Sequence, residues 1–251
     1  MGVATSTIPP MPNLPALILA AGRGERMRPL TDRTPKPLLV VQGKPLIEWH
    51  LLALARDGVR EVVINTAWLE DQFPSALGDG SRWGLRIRYS MEQRDHGGAL
   101  ETAGGMAKAV PMLGDAFWVL AGDVFAPDFR FTPAAAQRFE QSPDWAHLWM
   151  VNNPAHNPSG DFALSPEGRV LRKEAAPSNT PCWTYSTLGL YRATMVDQVT
   201  AGSRAALRPC LDRAIDHGRL SAEVYAGAWV DVGTPQRLAE LNDGHPSTHG
   251  G

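Results

Sequence analysis

Ala16-Leu17-Ile18-Leu19-Ala20 is an unbroken apolar run that stops at Gly22 and Gly24. A run of that length with glycines behind it predicts a strand buried on both faces and a turn at its carboxyl end. Apolar positions then return at helical spacing: Ile47, Leu51, Leu54 and Ala55 share one face of a helix predicted over about 46–57 and stopped by Gly58. Glu61 to Asn65 carries a second apolar core, Val62-Val63-Ile64. Strand, helix, strand at this spacing implies a right-handed crossover and a parallel sheet. A short helix near 69–77 follows, then the turn Gly78-Asp79-Gly80-Ser81. Beyond it Leu85, Ile87 and Tyr89 alternate with Arg86 and Arg88, the pattern of a strand with one solvated side.

The glycine-rich stretch 97–105 predicts a loop leading into a helix that ends near Val110, and Phe117 to Ala121 reads as another buried strand, ending on Gly122-Asp123. Past Asp123 the texture changes, with Trp145, Trp149, Asn152, Asn153 and Pro154 close together. Phe162–Leu164 and Val170–Lys173 read as a hairpin joined through Pro166-Glu167-Gly168, and Tyr185–Tyr191 as a further strand. A helix over 204–217 contains Pro209, expected to mark a kink or a break, and an amphipathic helix runs from Thr234-Pro235 to about Asn242. The fold class is therefore α/β, a mostly parallel sheet flanked by helices, in one domain over 14–242 with a small mixed lobe over about 145–228. Residues 1–13, without the basic start and long apolar run of a signal peptide, are expected to be a disordered leader, and 243–251 a tail.

Composition narrows the function. A chain of 251 residues has material for a full core, and 24 Lys+Arg against 26 Asp+Glu leave a formal charge of -2. That balance supports neither nucleic-acid binding nor adhesion to a membrane surface, so any positive charge that matters is local. The two cysteines, Cys182 and Cys210, are too few for a disulfide framework and lack metal-ligand spacing, which fits a reducing, cytoplasmic setting.

The local charge sits in the loop after the first strand. Gly22 and Gly24 allow backbone N–H groups, with those of Ala20 and Ala21, to approach an anion closely, while Arg26 and Lys36 add fixed positive charge. Pro29, Pro35 and Pro37 stiffen the segment. A rigid cationic loop suits a polyphosphate, and it is not a P-loop, because no Gly-x-x-x-x-Gly-Lys-[Ser/Thr] occurs. Asp123 ends a buried strand, where the ligand crevice of an open α/β sheet lies, although an Asp there also serves as a helix cap. Asp231 lies between Val230 and Val232, where a buried carboxylate needs a partner; a cation would serve, and so would capping of the Thr234-Pro235 helix start.

Leu-Ala-Ala-Gly-x-Gly-x-Arg-x-x-Pro-Leu-Thr over 19–31, Pro-Lys-Pro-Leu over 35–38 and Trp-Val-Asp-Val-Gly-Thr over 229–234 together resemble the signature of the sugar nucleotidyltransferases. The resemblance spans nearly all of 14–242. It implies a Rossmann-like sheet and an enzyme that joins a sugar 1-phosphate to a nucleoside triphosphate, releasing pyrophosphate. It also implies Mg²⁺, or Mn²⁺, on Asp123 and Asp231; Arg26 and the loop amides on the β- and γ-phosphates; and Lys36 at the α-phosphate and the sugar phosphate. Glu92 and Gly105 would belong to the nucleotide site, and Glu101, Asn152, Gly160 and Asp161 to the sugar. His96 and His156 could touch substrate, or simply be exposed loop histidines.

Three further stretches, Gly78–Leu85, Leu-Glu-Thr-Ala-Gly-Gly over 100–105 and Asn153–Phe162, resemble the branch of that family acting on N-acetylmuramate 1-phosphate with UTP in peptidoglycan recycling. Ala103 stands where related sequences carry glycine, a change expected to narrow the loop. Arg172-Lys173-Glu174 replaces the family's Glu-Lys-Pro turn, and no single cation is marked out for a lactyl carboxylate. The alternatives are a mannose or glucose 1-phosphate transferase using GTP or dTTP, and a catalytically silent sensor of nucleotide sugars. A monomer or weak homo-oligomer is expected.

Overall fold

The computed structural model describes residues 13–244. The expected leader and tail fall outside the described residues, except for Asn13, Asp243 and Gly244. Strand β1 (Ala16–Leu19) is followed by the two-stranded ribbon β2 (Val40–Val41) and β3 (Lys44–Pro45), helix α1 (Leu46–Arg56) and β4 (Glu61–Thr66). Next come α2 (Gln72–Leu77), β5 (Arg86–Met91), α3 (Glu92–His96), α4 (Glu101–Leu113) and β6 (Ala116–Ala121). The chain continues through β7 (Val124–Phe125), α5 (Pro133–Gln141), β8 (Ala146–Val151), β9 (Phe162–Leu164), β10 (Val170–Leu171) and β11 (Cys182–Arg192). It closes with α6 (Arg208–Asp216), β12 (Leu220–Val224), β13 (Val230–Asp231) and α7 (Pro235–Asn242).

One sheet of nine strands runs β10-β9-β11-β6-β1-β4-β5, with β8 pairing β11 and β12. β6, β1, β4 and β5 are parallel, and β11 lies antiparallel beside β6. The faces follow the two-residue period of the strands. Ile18, Ile64 and Leu120 point to the side covered by α1, where Trp118, Trp149, Phe129 and Phe131 form an aromatic cluster; Leu17, Val63 and Val119 point to the side covered by α4 and α6. The tryptophans of this cluster are core, as their apolar setting requires. A third cluster, with Met27, Phe125, Val232 and Leu238, fastens α7 beneath the loop that follows β1.

The strands expected for the lobe continue the main sheet. A register shift between Tyr185 and Gly189, with Thr187 at φ 65°, divides β11, so that Cys182 and Trp183 pair with β9 while Leu188–Arg192 pair with β6. Pro209 does not kink a longer helix. It sits in the first turn of α6, where its missing N–H has no helical partner to lose. Among the described residues no helix is long and apolar enough to cross a membrane.

Candidate active site

Two connections leave the sheet side by side at its switch point. β1 pairs with β4 on one edge and β6 on the other, and the Gly122 N–H donates to Leu19 O at 2.8 Å, so the loop after β1 and the turn after β6 share one crevice. The crevice is a cleft of about 840 Å³. The structure brings Ala20, Ala21, Gly22, Gly24, Arg26, Lys36, Asp123, Glu101 and Asp161 to its wall.

Gly24 has φ 66°, a left-handed conformation, and its carbonyl accepts from the Thr31 hydroxyl at 2.8 Å and the Met27 N–H at 2.9 Å, so the loop is folded on itself. Lys36 occupies a short 3₁₀ turn between Pro35 and Pro37 and is only 6% exposed. Its Nζ donates to Asp123 Oδ2 at 2.7 Å and stands 4.0 Å from Asp231 Oδ1. Arg26 is exposed at the rim.

A small ribbon brings Asp231 beside Lys36, on the wall of a neighbouring hollow rather than of the cleft itself. β13 pairs antiparallel with β7, Asp231 opposite Val124, and the Val232 N–H donates to Asp123 O at 3.1 Å. The two carboxylates thus flank a single ammonium. Arg237, on the first turn of α7, donates to Asp231 Oδ2 and to its carbonyl, both at 2.8 Å. The α7 start is capped by Thr234, whose hydroxyl accepts from the Arg237 N–H, so Asp231 is not the cap. His156 Nε2 lies 3.5 Å from Asp231, and burial together with the Arg237 charge lowers its pKa. Among the described residues no group of three or more His, Cys, Asp or Glu side chains gathers as a self-contained metal cage.

Several residues expected at the site lie elsewhere. Glu92 is fully buried and faces no cleft. It accepts from Asn65 Nδ2 at 2.8 Å and from the Leu100 N–H at 2.7 Å, while Asn65 Oδ1 accepts from the Ala20 N–H at 2.7 Å. Glu92 therefore braces the two glycine-rich loops against each other from behind, and burial raises its pKa. Gly105 packs against this bridge: a Cβ there would lie 2.5 Å from Asn65 Nδ2 and 2.6 Å from Glu92 Oε1. Ala103 does not narrow the loop, because it points into the core with Leu17 and Met106.

Gly160, at φ 63°, is held beside Asn153 and Trp183 and is buried; Asn152 lines a neighbouring hollow of about 480 Å³ together with His156 and Arg237. His96 packs near Gly202, away from the cleft. Asn65 was missed, although a polar side chain in the last turn of a buried strand is the same signal that singled out Asp123. Thr187 and Arg208 also line the cleft, and no motif marked them.

A sheet whose switch point carries a glycine-bounded cationic loop opposite two carboxylates defines a nucleotide-binding α/β enzyme. The nucleotidyl transferase family matches residues 15–247, and the chain belongs to it. It is 53% identical over 228 residues to N-acetylmuramate alpha-1-phosphate uridylyltransferase of Neisseria meningitidis serogroup B, covering 90% of this chain and 95% of that protein. It is 38% identical over 232 residues to UTP–glucose-1-phosphate uridylyltransferase of Synechocystis, covering 87% of this chain and 60% of that one. In fold it resembles a Bacillus anthracis structure assigned as a glucose-1-phosphate thymidylyltransferase, with TM-score 0.76 at 20% identity over 94% of this chain and 96% of that chain.

Proposed function

We propose that this protein condenses a sugar 1-phosphate with a nucleoside triphosphate to give a nucleotide sugar and pyrophosphate, with N-acetylmuramate 1-phosphate and UTP as its substrates. The observation that carries the reaction type is the cleft lined by Arg26, Lys36 and Asp123, with the Asp231 carboxylate 4.0 Å from the Lys36 ammonium. The substrate pair is supported by the 53% identity to the Neisseria uridylyltransferase along nearly the full length of both chains.

Asp123 and Asp231 would hold Mg²⁺ or Mn²⁺. Their side chains are 39% and 22% exposed, and oxygen-only donors fit a hard cation that keeps several waters and takes phosphate oxygens, so no third protein ligand is required. When bound, the ion supplies charge neutralisation at the phosphates. Arg26 and the N–H groups around Gly22 and Gly24 bind the β- and γ-phosphates. Lys36, immobilised by Asp123, fixes one positive charge where the α-phosphate and the sugar phosphate meet. An oxygen of the sugar phosphate forms a bond to the α-phosphorus, the bond from that phosphorus to the bridging oxygen breaks, and the electron pair leaves with pyrophosphate. The step needs alignment and charge stabilisation but no protein nucleophile.

The test is pyrophosphate release from purified protein with Mg²⁺, crossing UTP, dTTP, GTP and CTP with N-acetylmuramate, N-acetylglucosamine, glucose and mannose 1-phosphates. UTP with N-acetylmuramate 1-phosphate is expected to dominate. Dominance of another pair would keep the reaction and move the substrate, and silence throughout with nucleotide still bound would leave a sensor.

A further inference from the structure

Among the described residues only three cations line the cleft, Arg26, Lys36 and Arg208. Two belong to the phosphate loop. Arg208, the first residue of α6, lines the cleft beside Phe162 together with Asp161 and Tyr185. Its surroundings fix one edge of the guanidinium and leave the other open. Nε donates to Asp212 Oδ1 at 3.0 Å, one turn along the helix, and Asp212 is itself held by Arg172 Nε at 3.2 Å. The guanidinium carbon stands 4.9 Å from the centre of the buried Phe162 ring. The two terminal nitrogens of Arg208 make no hydrogen bond among the described residues, so a planar pair of donors remains for a ligand.

The carboxylates nearby are already engaged. Asp161 accepts from Asn157 Nδ2 at 3.0 Å and from the Tyr185 N–H at 2.8 Å, and Glu101 pairs with Arg204 at 3.3 Å. A second anionic group on the sugar would enter a region where Asp161 carries a negative charge and Glu101 is already offset by Arg204, and Arg208 is the lining cation beside them. N-acetylmuramate 1-phosphate differs from N-acetylglucosamine 1-phosphate by a lactyl ether that carries such a group.

We propose that Arg208 is a specificity residue whose open guanidinium edge takes the lactyl carboxylate of the sugar phosphate, with Asp212 as its strut. This rests on the substrate reading given above.

The experiment compares the two sugar phosphates with saturating UTP in the wild type, Arg208→Gln, Arg208→Lys and Asp212→Asn, each checked for an unchanged melting curve. Arg208→Gln is expected to lose roughly 10- to 100-fold in kcat/KM for N-acetylmuramate 1-phosphate, chiefly through KM, as for a charged hydrogen bond. Its turnover of N-acetylglucosamine 1-phosphate and its KM for UTP should not move. Arg208→Lys, which keeps the charge without the fork, should recover part of the loss, and Asp212→Asn should show a smaller loss of the same selectivity. An unchanged preference in Arg208→Gln, or an equal loss on both sugars, overturns the assignment while leaving the substrate reading intact. A wild type that does not prefer the lactyl sugar overturns both.

Discussion

Asp123, Asp231 and Lys36 form a compact charge set in which each group is defined by the others. Lys36 is buried and tolerates burial because the Asp123 carboxylate accepts its hydrogen bond at 2.7 Å. Asp123→Ala and Asp231→Ala are each expected to lower kcat by at least about 10²- to 10³-fold in the pyrophosphate-release assay, on the scale of removing one electrostatic stabiliser. Arg26, exposed at the rim, should act mainly on binding, so Arg26→Ala is expected to raise the KM for UTP more than it lowers kcat. Equal small losses in all three would contradict these roles. His50 belongs to the same scale. It is fully buried on α1 near the β6–β7 turn, its Nε2 finds no hydrogen-bond partner among the described residues, and burial lowers its pKa to about 4. A pKa below the unfolded value of about 6.5 means that its contribution to stability is complete above pH 6.5 and is lost as pH falls toward 4, by up to about 1.4 kcal/mol per pH unit. His50→Phe should flatten that part of the denaturant-midpoint profile between pH 6.5 and 4.

The elements place these residues through a few local devices. Thr132 and Thr234 each stand before a proline and cap a helix start, with Thr132 Oγ1 accepting from the Ala135 N–H at 3.2 Å and Thr234 Oγ1 from Arg237 at 3.3 Å. The second cap also sets Arg237 against Asp231. Thr234→Ala should therefore cost about 0.5–2 kcal/mol in chemical denaturation and weaken catalysis as well. Gly105 is the tightest point of the Asn65–Glu92 bridge, and Gly105→Ala should cost about 1–3 kcal/mol through overpacking and loosen both loops, read as a lower melting temperature and a raised KM for UTP. The first loop was readable because its glycines, prolines and charges are contiguous. The role of Glu92 was not readable. Its partners, Asn65 and Leu100, lie 27 and 8 residues away, and nothing local separates a carboxylate that meets a ligand from one that braces a backbone N–H. Thr132-Pro133 offered the same start signal as Thr234-Pro235, so α5 was legible and was overlooked.

At the scale of the whole molecule, the sheet decides which loops meet. Because Lys36 and Arg237 already balance Asp123 and Asp231, removal of divalent cations leaves no unpaired buried charge. Chelation with EDTA is thus expected to abolish turnover, reversibly on adding Mg²⁺, without a measurable change in melting temperature. A large drop in melting temperature would show that the two ion pairs do not hold the ribbon of β7 and β13. The sequence by itself determined the parallel strands, their two faces, the loop after β1 and the two carboxylates, since apolar periodicity, glycine position and charge are local properties of the chain. Only the tertiary structure decided that Asp231, 108 residues beyond Asp123, would sit across the same ammonium, that Glu92 would turn inward, and that Arg208 would line the same cleft as the loop after β1. Those outcomes depend on strand order and on a bulge in β11, which bring distant segments within hydrogen-bonding reach and leave no mark at any one position.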